Sequence, residues 1–298
     1  MMTELVFDAQ DVVGESVLWD DRRERLVWVD IIGRRIHALD PTTGAHRLWL
    51  IEARPTSIAL CLDGSALVGT ERHICAWSWH GEPRPLVEVE PDLPDNRLNE
   101  GAAGPDGAFW VGSMQQNIAP DDSPRDITAA AGRLYRYAPD GRLSQVSDDL
   151  YGIANTLVWP EPNRLVVADT TKNSLFQCSL RPDGRLGPRD ILSEGFDRGL
   201  PDGSCMDAEG GIWTARVAGG ACLTRTGPDG QIDRVADLPC SWPTSCTFGG
   251  PDLDKLYVTS ARFTMASAHL AAHPLEGALF ALKPGVRGYP AHRFGAPP

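Results

Sequence analysis

The sequence predicts an all-β fold: a six-bladed β-propeller of four-stranded antiparallel blades with a central metal site. Three observations carry the fold class. Segments of similar pattern recur at intervals of about 40 to 55 residues, the spacing of a repeat architecture. Within each segment an Asp, Gly or Asn turn precedes short apolar and alternating strands. No apolar stripe of helical period is long enough for a substantial helix, which argues against a βαβ fold.

Taken in order, the segments open near Trp19-Asp20, Leu62-Asp63-Gly64, Gly104-Pro105-Asp106-Gly107, Trp159-Pro160-Glu161, Met206-Asp207-Ala208-Glu209-Gly210 and Gly250-Pro251-Asp252. A short apolar strand follows each, at Leu26 to Val29, Ala66 to Val68, Phe109 to Val111, Leu165 to Val167, Ile212 to Thr214 and Leu256 to Val258. A second strand then alternates between its two faces, as in Arg35-Ile36-His37-Ala38-Leu39 and Ser174-Leu175-Phe176-Gln177-Cys178. It ends in turns such as Pro139-Asp140-Gly141, Pro182-Asp183-Gly184 and Pro228-Asp229-Gly230, where Pro fixes φ and Gly or Asp accepts turn geometry. Stacked blades bury each other's apolar faces, so no helix layer is needed. A large β-sandwich is the runner-up, but it does not explain the even spacing. Most of Trp19, Trp28, Trp110, Trp159 and Trp213 should be blade core. Trp77, Trp79 and Trp242 fit that register less well and leave room for one of them to line a ligand. The polar stretch from Gln115 to Ala131 reads as a mobile loop within the third blade.

A chain of 298 residues with 42% hydrophobic content can bury a sizeable core, and one domain over 1–298 is expected. The net charge of -12, with no Lys/Arg cluster, argues against nucleic acid or an anionic membrane as partner. Met1-Met2-Thr3-Glu4 lacks the features of a secretion signal, and no apolar run is long enough for a membrane span, so a cytoplasmic protein is expected. Seven cysteines without C-x-x-C spacing fit buried thiols in a reducing compartment. The expected state is a monomer or weak homodimer.

Four stretches place an oxygen-bearing side chain at a common point of the repeat: Gly14-Glu15-Ser16, Asn96-Arg97-Leu98-Asn99, Ala154-Asn155-Thr156 and Leu200-Pro201-Asp202-Gly203. Each candidate, Glu15, Asn99, Asn155 or Asp202, stands roughly ten residues ahead of an apolar strand, just before the innermost strand of its blade. Two carboxylates and two amides form a hard donor set suited to Ca²⁺, Mg²⁺ or Mn²⁺, with Zn²⁺ an alternative if few protein ligands bind. Singly, each residue reads as a turn or cap. Pro201-Asp202-Gly203 differs from its look-alikes because its blade already has a turn at Asp207-Ala208-Glu209-Gly210. Other constellations are weaker. His269 and His273 stand at i, i+4, but no Glu follows the first and a Pro follows the second, so they read as surface or loop histidines. Ser16 is not in a nucleophile elbow, because Leu18 stands where Gly is needed.

Together these stretches resemble the regucalcin and gluconolactonase family, the sugar-lactone lactonases. The likeness runs through Gly14-Glu15-Ser16-Val17-Leu18-Trp19, Asn96-Arg97-Leu98-Asn99-Glu100-Gly101, the run Pro105 to Met114, Asn155, the run Pro201 to Trp213, and Phe248-Gly249-Gly250-Pro251-Asp252-Leu253. The resemblance implies one divalent metal held by Glu15, Asn155 and Asp202, with Ca²⁺ favoured and Zn²⁺, Mn²⁺, Mg²⁺ or Fe²⁺ as alternatives. It implies that Arg97 and Asn99 contact the sugar, with the loop position Asn117 beside them. Three departures bear on which sugar is used: Glu100 replaces the usual Asp, Ala154-Asn155-Thr156 replaces Ser-Asn-Gly, and Gln115, Gln116 and Asn117 fall where the family has an acidic residue. The implied reaction is hydrolysis of an aldonic acid lactone, with the metal polarising the carbonyl and Asp202 as general base. Two alternatives remain at this point. One is a non-catalytic calcium-binding regulatory propeller, the other a phosphotriesterase or aryl-ester hydrolase on the same scaffold.

Overall fold

The computed structural model describes residues 2–295. Its strands form six four-stranded antiparallel sheets, the blades of a six-bladed all-β propeller. The first blade shows the rule: Gly14–Asp20, Arg25–Asp30, Arg35–Leu39 and His46–Leu50 pair in sequence order as a meander. Two compact units each hold three blades.

The unit formed by the chain up to Leu50 with Gly195–Ala291 holds the first, fifth and sixth blades. The sixth blade is composite. Pro243–Gly249, Lys255–Ser260 and Leu279–Leu282 are completed by the N-terminal strand Thr3–Phe7, which pairs antiparallel with Leu279–Leu282. Trp28 and Trp213 are fully buried here, and each indole N–H donates to a carboxylate, Asp11 at 2.7 Å and Asp207 at 2.8 Å. Those bonds let a large aromatic enter the core without a stranded donor.

The unit formed by Ile51–Glu194 with the chain from His292 holds the second, third and fourth blades. Phe109, Trp110, Tyr151, Leu165 and Val167 are almost wholly buried in it. The tail adds a bridge between Phe294 and Cys61, and the Phe294 ring stacks on Tyr137 at 5.8 Å. Trp77 is core as well, 2% exposed and packed on Trp79, so neither its burial nor its contacts suit a ligand-lining role.

Two expectations change, and the reading of His269 and His273 as surface histidines holds. The candidate residues do not precede the innermost strands: Glu15, Asn99, Asn155 and Asp202 lie inside the first strands of their blades, Gly14–Asp20, Asn96–Ala103, Ala154–Glu161 and Leu200–Met206. Polar composition disguises these strands, but pairing with the apolar second strand fixes them. The Gln115 to Ala131 segment is not a loose loop, because hydrogen bonds with Glu71 and Arg54 tie it down at Gln116, Ala119 and Asp122, and the Thr128 amide donates back to Gln115 within it. His269 and His273 lie on or beside a short helix, Ser267–Ala272, with their rings 4.5 Å apart. Among the described residues no helix is long and apolar enough to cross a membrane.

Candidate functional site

A break in pairing recurs at one place in every blade. The register of the first strand against the second shifts between Glu15 and Leu18, Pro55 and Ser57, Leu98 and Gly101, Asn155 and Leu157, Pro201 and Ser204, and Pro243 and Cys246. Bulges of this kind re-aim side chains, and they gather beside sites. All four oxygen-bearing candidates sit at the break. Thr56 and Thr244 hold the same place in the second and sixth blades, within Pro55-Thr56-Ser57 and Pro243-Thr244-Ser245. Ser16 and Thr156, which follow Glu15 and Asn155, are bent to φ of 53° and 56°, a left-handed conformation uncommon outside Gly and costly for the β-branched Thr156.

Four of the six expected site residues form one hydrogen-bonded chain in the unit of the second to fourth blades. Arg97 donates from Nε to Asn117 Oδ1 and from Nη1 to Asn99 Oδ1, both at 2.9 Å. Asn99 Nδ2 donates to Asn155 Oδ1 at 2.6 Å, and Asn155 Nδ2 donates to Thr170 Oγ1 at 2.9 Å. Arg97, Asn99, Asn155 and Thr170 are buried, while Asn117 is half-buried. The chain fixes both carboxamides: each NH₂ faces an acceptor, which turns the Asn155 oxygen toward Asn99 and away from Thr170. Thr170 and the residues that hold Asn117 carry no signal in the sequence, because the contacts that define them are non-local.

Glu15 and Asp202 lie in the other unit, 8% and 6% exposed. Glu15 Oε2 accepts from the Ser16 amide at 3.0 Å. Its neighbour Gly14 is required by space, since an added Cβ would stand 2.9 Å from the Ser260 carbonyl. Gly203 beside Asp202 is held by the same constraint, 2.8 Å from the Ser245 Cα. Among the described residues no three His, Cys, Asp or Glu side chains gather as a metal-ligand group. The expected set of Glu15, Asn155 and Asp202 holds only two carboxylates and is a different kind of group from that one.

The family of the SMP-30/gluconolactonase/LRE-like region matches residues 13–262. The chain belongs to this family. Within it, a 6-deoxy-6-sulfogluconolactonase of Pseudomonas putida is 34% identical over 93% of each chain. An L-arabinolactonase of Azospirillum brasilense is 33% identical over 99% of this chain and 96% of its own. Among solved structures, a calcium-binding protein, regucalcin, from Agrobacterium tumefaciens superposes with a TM-score of 0.88 at 26% identity, covering 99% and 97% of the two chains.

Proposed function

We propose that this member of the SMP-30/gluconolactonase family hydrolyses a sugar lactone to its aldonic acid. It is an enzyme of the carboxylic-ester hydrolase class, and lactones of sugars are its substrates at the general level. The observation that carries the reading is the hydrogen-bonded chain of Arg97, Asn99 and Asn155, all buried, with the half-buried Asn117 at its end. Planar donors and carboxamides in a row suit a ring bearing several hydroxyls, which needs both donors and acceptors.

Glu15, Asn155 and Asp202 are the proposed metal ligands. Their chemistry fits: all three are buried hard oxygen donors, and the Asn155 NH₂ is engaged by Thr170, so ligation would use the lone pair of its oxygen that does not accept from Asn99. A divalent cation, when bound, supplies Lewis-acid polarisation of the lactone carbonyl. The chain's own residues do the rest. Arg97, Asn99 and Asn117 hold ring hydroxyls and restrict the bound lactone to one orientation. Asp202 takes a proton from the attacking water as the new C–O bond forms. The ring C–O bond then breaks, and Asp202 returns the proton to its oxygen, which leaves as the hydroxyl of the aldonic acid.

A calcium-binding role without catalysis is favoured by one observation, the calcium-binding regucalcin among the structural neighbours. Glu15, Asn155 and Asp202 would suffice for that role, and the Arg97–Asn117 arm would serve no purpose in it. A pH-stat assay on arabinono-, xylono-, galactono- and glucono-lactones, run after chelation and after adding back Ca²⁺, Mg²⁺, Mn²⁺, Zn²⁺ or Fe²⁺ singly, separates the two. Metal-dependent acid release is expected. No release from any lactone with any of these ions would overturn the enzyme reading.

A further inference from the structure

Arg54 stands just ahead of the strand Pro55–Leu60 in the second blade, 6% exposed. A buried guanidinium is costly unless several acceptors satisfy it, and three do. Nη1 donates to Glu71 at 2.7 Å, Nε to Asp122 Oδ1 at 2.9 Å, and Nη2 to the Ala119 carbonyl at 2.9 Å and to Asp122 Oδ1 at 2.5 Å. Burial works against its charge, but the bonds to Asp122 and Glu71 outweigh it, and the net shift favours the charged form. Asp122 and Ala119 belong to the segment that also carries Asn117, the partner of Arg97 Nε.

Glu71 extends the link from its other side. Its Oε1 also accepts from Gln116 Nε2 at 2.9 Å, directly before Asn117, and its backbone carbonyl accepts from the Leu98 amide at 2.8 Å, directly after Arg97. Arg54 and Glu71 thus brace both members of the Arg97–Asn117 pair, one from the segment and one from the strand. Neither reaches the pair itself through any of these bonds.

We infer that Arg54 is a positioning residue for the sugar-binding end of the site, acting through Glu71 and the 116–131 segment to set Asn117 against Arg97. The inference rests on the lactonase reading for its consequence in turnover, but not for its consequence in order. Loss of Arg54 frees the segment at Ala119 and Asp122 and leaves Glu71 and Asp122 without their shared cation. Asn117 then drifts from Arg97, and lactone affinity falls while the proton-transfer group, Asp202, is untouched.

The test combines Arg54→Ala and Arg54→Lys with Asn117→Ala, alone and paired. Lysine keeps the charge but offers a single ammonium where a fork bridges two carboxylates, so it serves if the alanine variant fails to fold. KM is expected to rise about tenfold or more with kcat held within about threefold, the signature of lost ground-state positioning. The Arg54→Ala/Asn117→Ala pair should bind lactone no worse than Asn117→Ala alone, because both act on one contact. Hydrogen exchange of backbone amides in residues 116–131 should speed up in either Arg54 variant. Unchanged exchange there, additive effects in the double variant, or a fall in kcat at constant KM would each overturn the inference. Inactivity of the wild type on every lactone would sink the functional reading instead, and the exchange data would still decide whether Arg54 orders the segment.

Discussion

The Asn99 carboxamide donates to the Asn155 oxygen at 2.6 Å, across the first strands of the third and fourth blades. That bond, with the one from Asn155 to Thr170 behind it, joins the arm that would hold sugar to a proposed metal ligand. A residue implied as a sugar contact is therefore also the orienting partner of a proposed ligand.

Asn99→Ala tests the dual role. Removing it frees Asn155 to rotate its oxygen, and partners of metal ligands typically contribute about 10- to 100-fold in metal affinity. The expected outcome is a weaker divalent-ion Kd by calorimetry together with a raised lactone KM. An effect on KM with the ion Kd unchanged would confine Asn99 to the sugar.

Asp202→Asn should keep the fold, because the amide matches the carboxylate in size, and should lower kcat about 100- to 10,000-fold if Asp202 is the general base. Circular dichroism and melting temperature check the fold, and steady-state kinetics with saturating metal check the rate. Near-normal turnover would remove Asp202 from that role. Glu15→Gln is the companion: its larger effect should fall on ion affinity.

The sequence was most readable where the encoding is local. Pro-Asp-Gly turns and period-two strands such as Ser174–Leu180 marked the blades, since turn chemistry and alternation involve neighbours in the chain. Pro201-Asp202-Gly203 stands apart from those turns in the sequence, but its place inside a strand was not legible there. It has turn composition, yet Pro201 pairs with Arg216, and the bulge after it takes up Asp202 and Gly203 within a strand. The Thr3–Phe7 strand, which completes the last blade by pairing with Leu279–Leu282, was invisible to a local reading. So was the Arg54 brace, whose partners Ala119 and Asp122 lie far along the chain and convert an apparent loop into an anchored segment.

The thiols should be inert in the native protein. Burial pushes Cys61 and Cys75 up to about 11 and Cys178 up to about 12, and it raises Cys240, Cys205 and Cys222 as well. All seven cysteines are free, and Cys205 and Cys246 share a thiol–thiol hydrogen bond at 3.6 Å rather than a disulfide. Since the thiolate is the reactive form, a disulfide-exchange reagent at pH 8 should titrate at most the half-buried Cys205 quickly and all seven only after denaturation. Rapid reaction of several thiols in folded protein would contradict this packing.

Asp207 gives a pH dependence with a defined sign. It sits in the turn between the Asp202 strand and the next, fully buried, and accepts from Trp213 Nε1 at 2.8 Å, Arg225 Nε at 2.6 Å and the Gly211 amide at 2.9 Å. Burial alone would raise its pKa, but these hydrogen bonds and the Arg225 charge win, and the net shift is downward. A carboxyl lowered in the folded state contributes stability that is fully present above its unfolded value of about 3.9 and is lost as pH falls through the folded value. Asp207→Asn should therefore destabilise the protein by about 3 kcal/mol at pH 7, because Arg225 loses its buried partner and keeps only Asp233 and Glu209. The same variant should lose less stability than wild type on going from pH 5 to pH 2. Denaturant unfolding at the two extremes measures both, and parallel acid profiles for variant and wild type would show that Asp207 does not carry the acid sensitivity assigned to it.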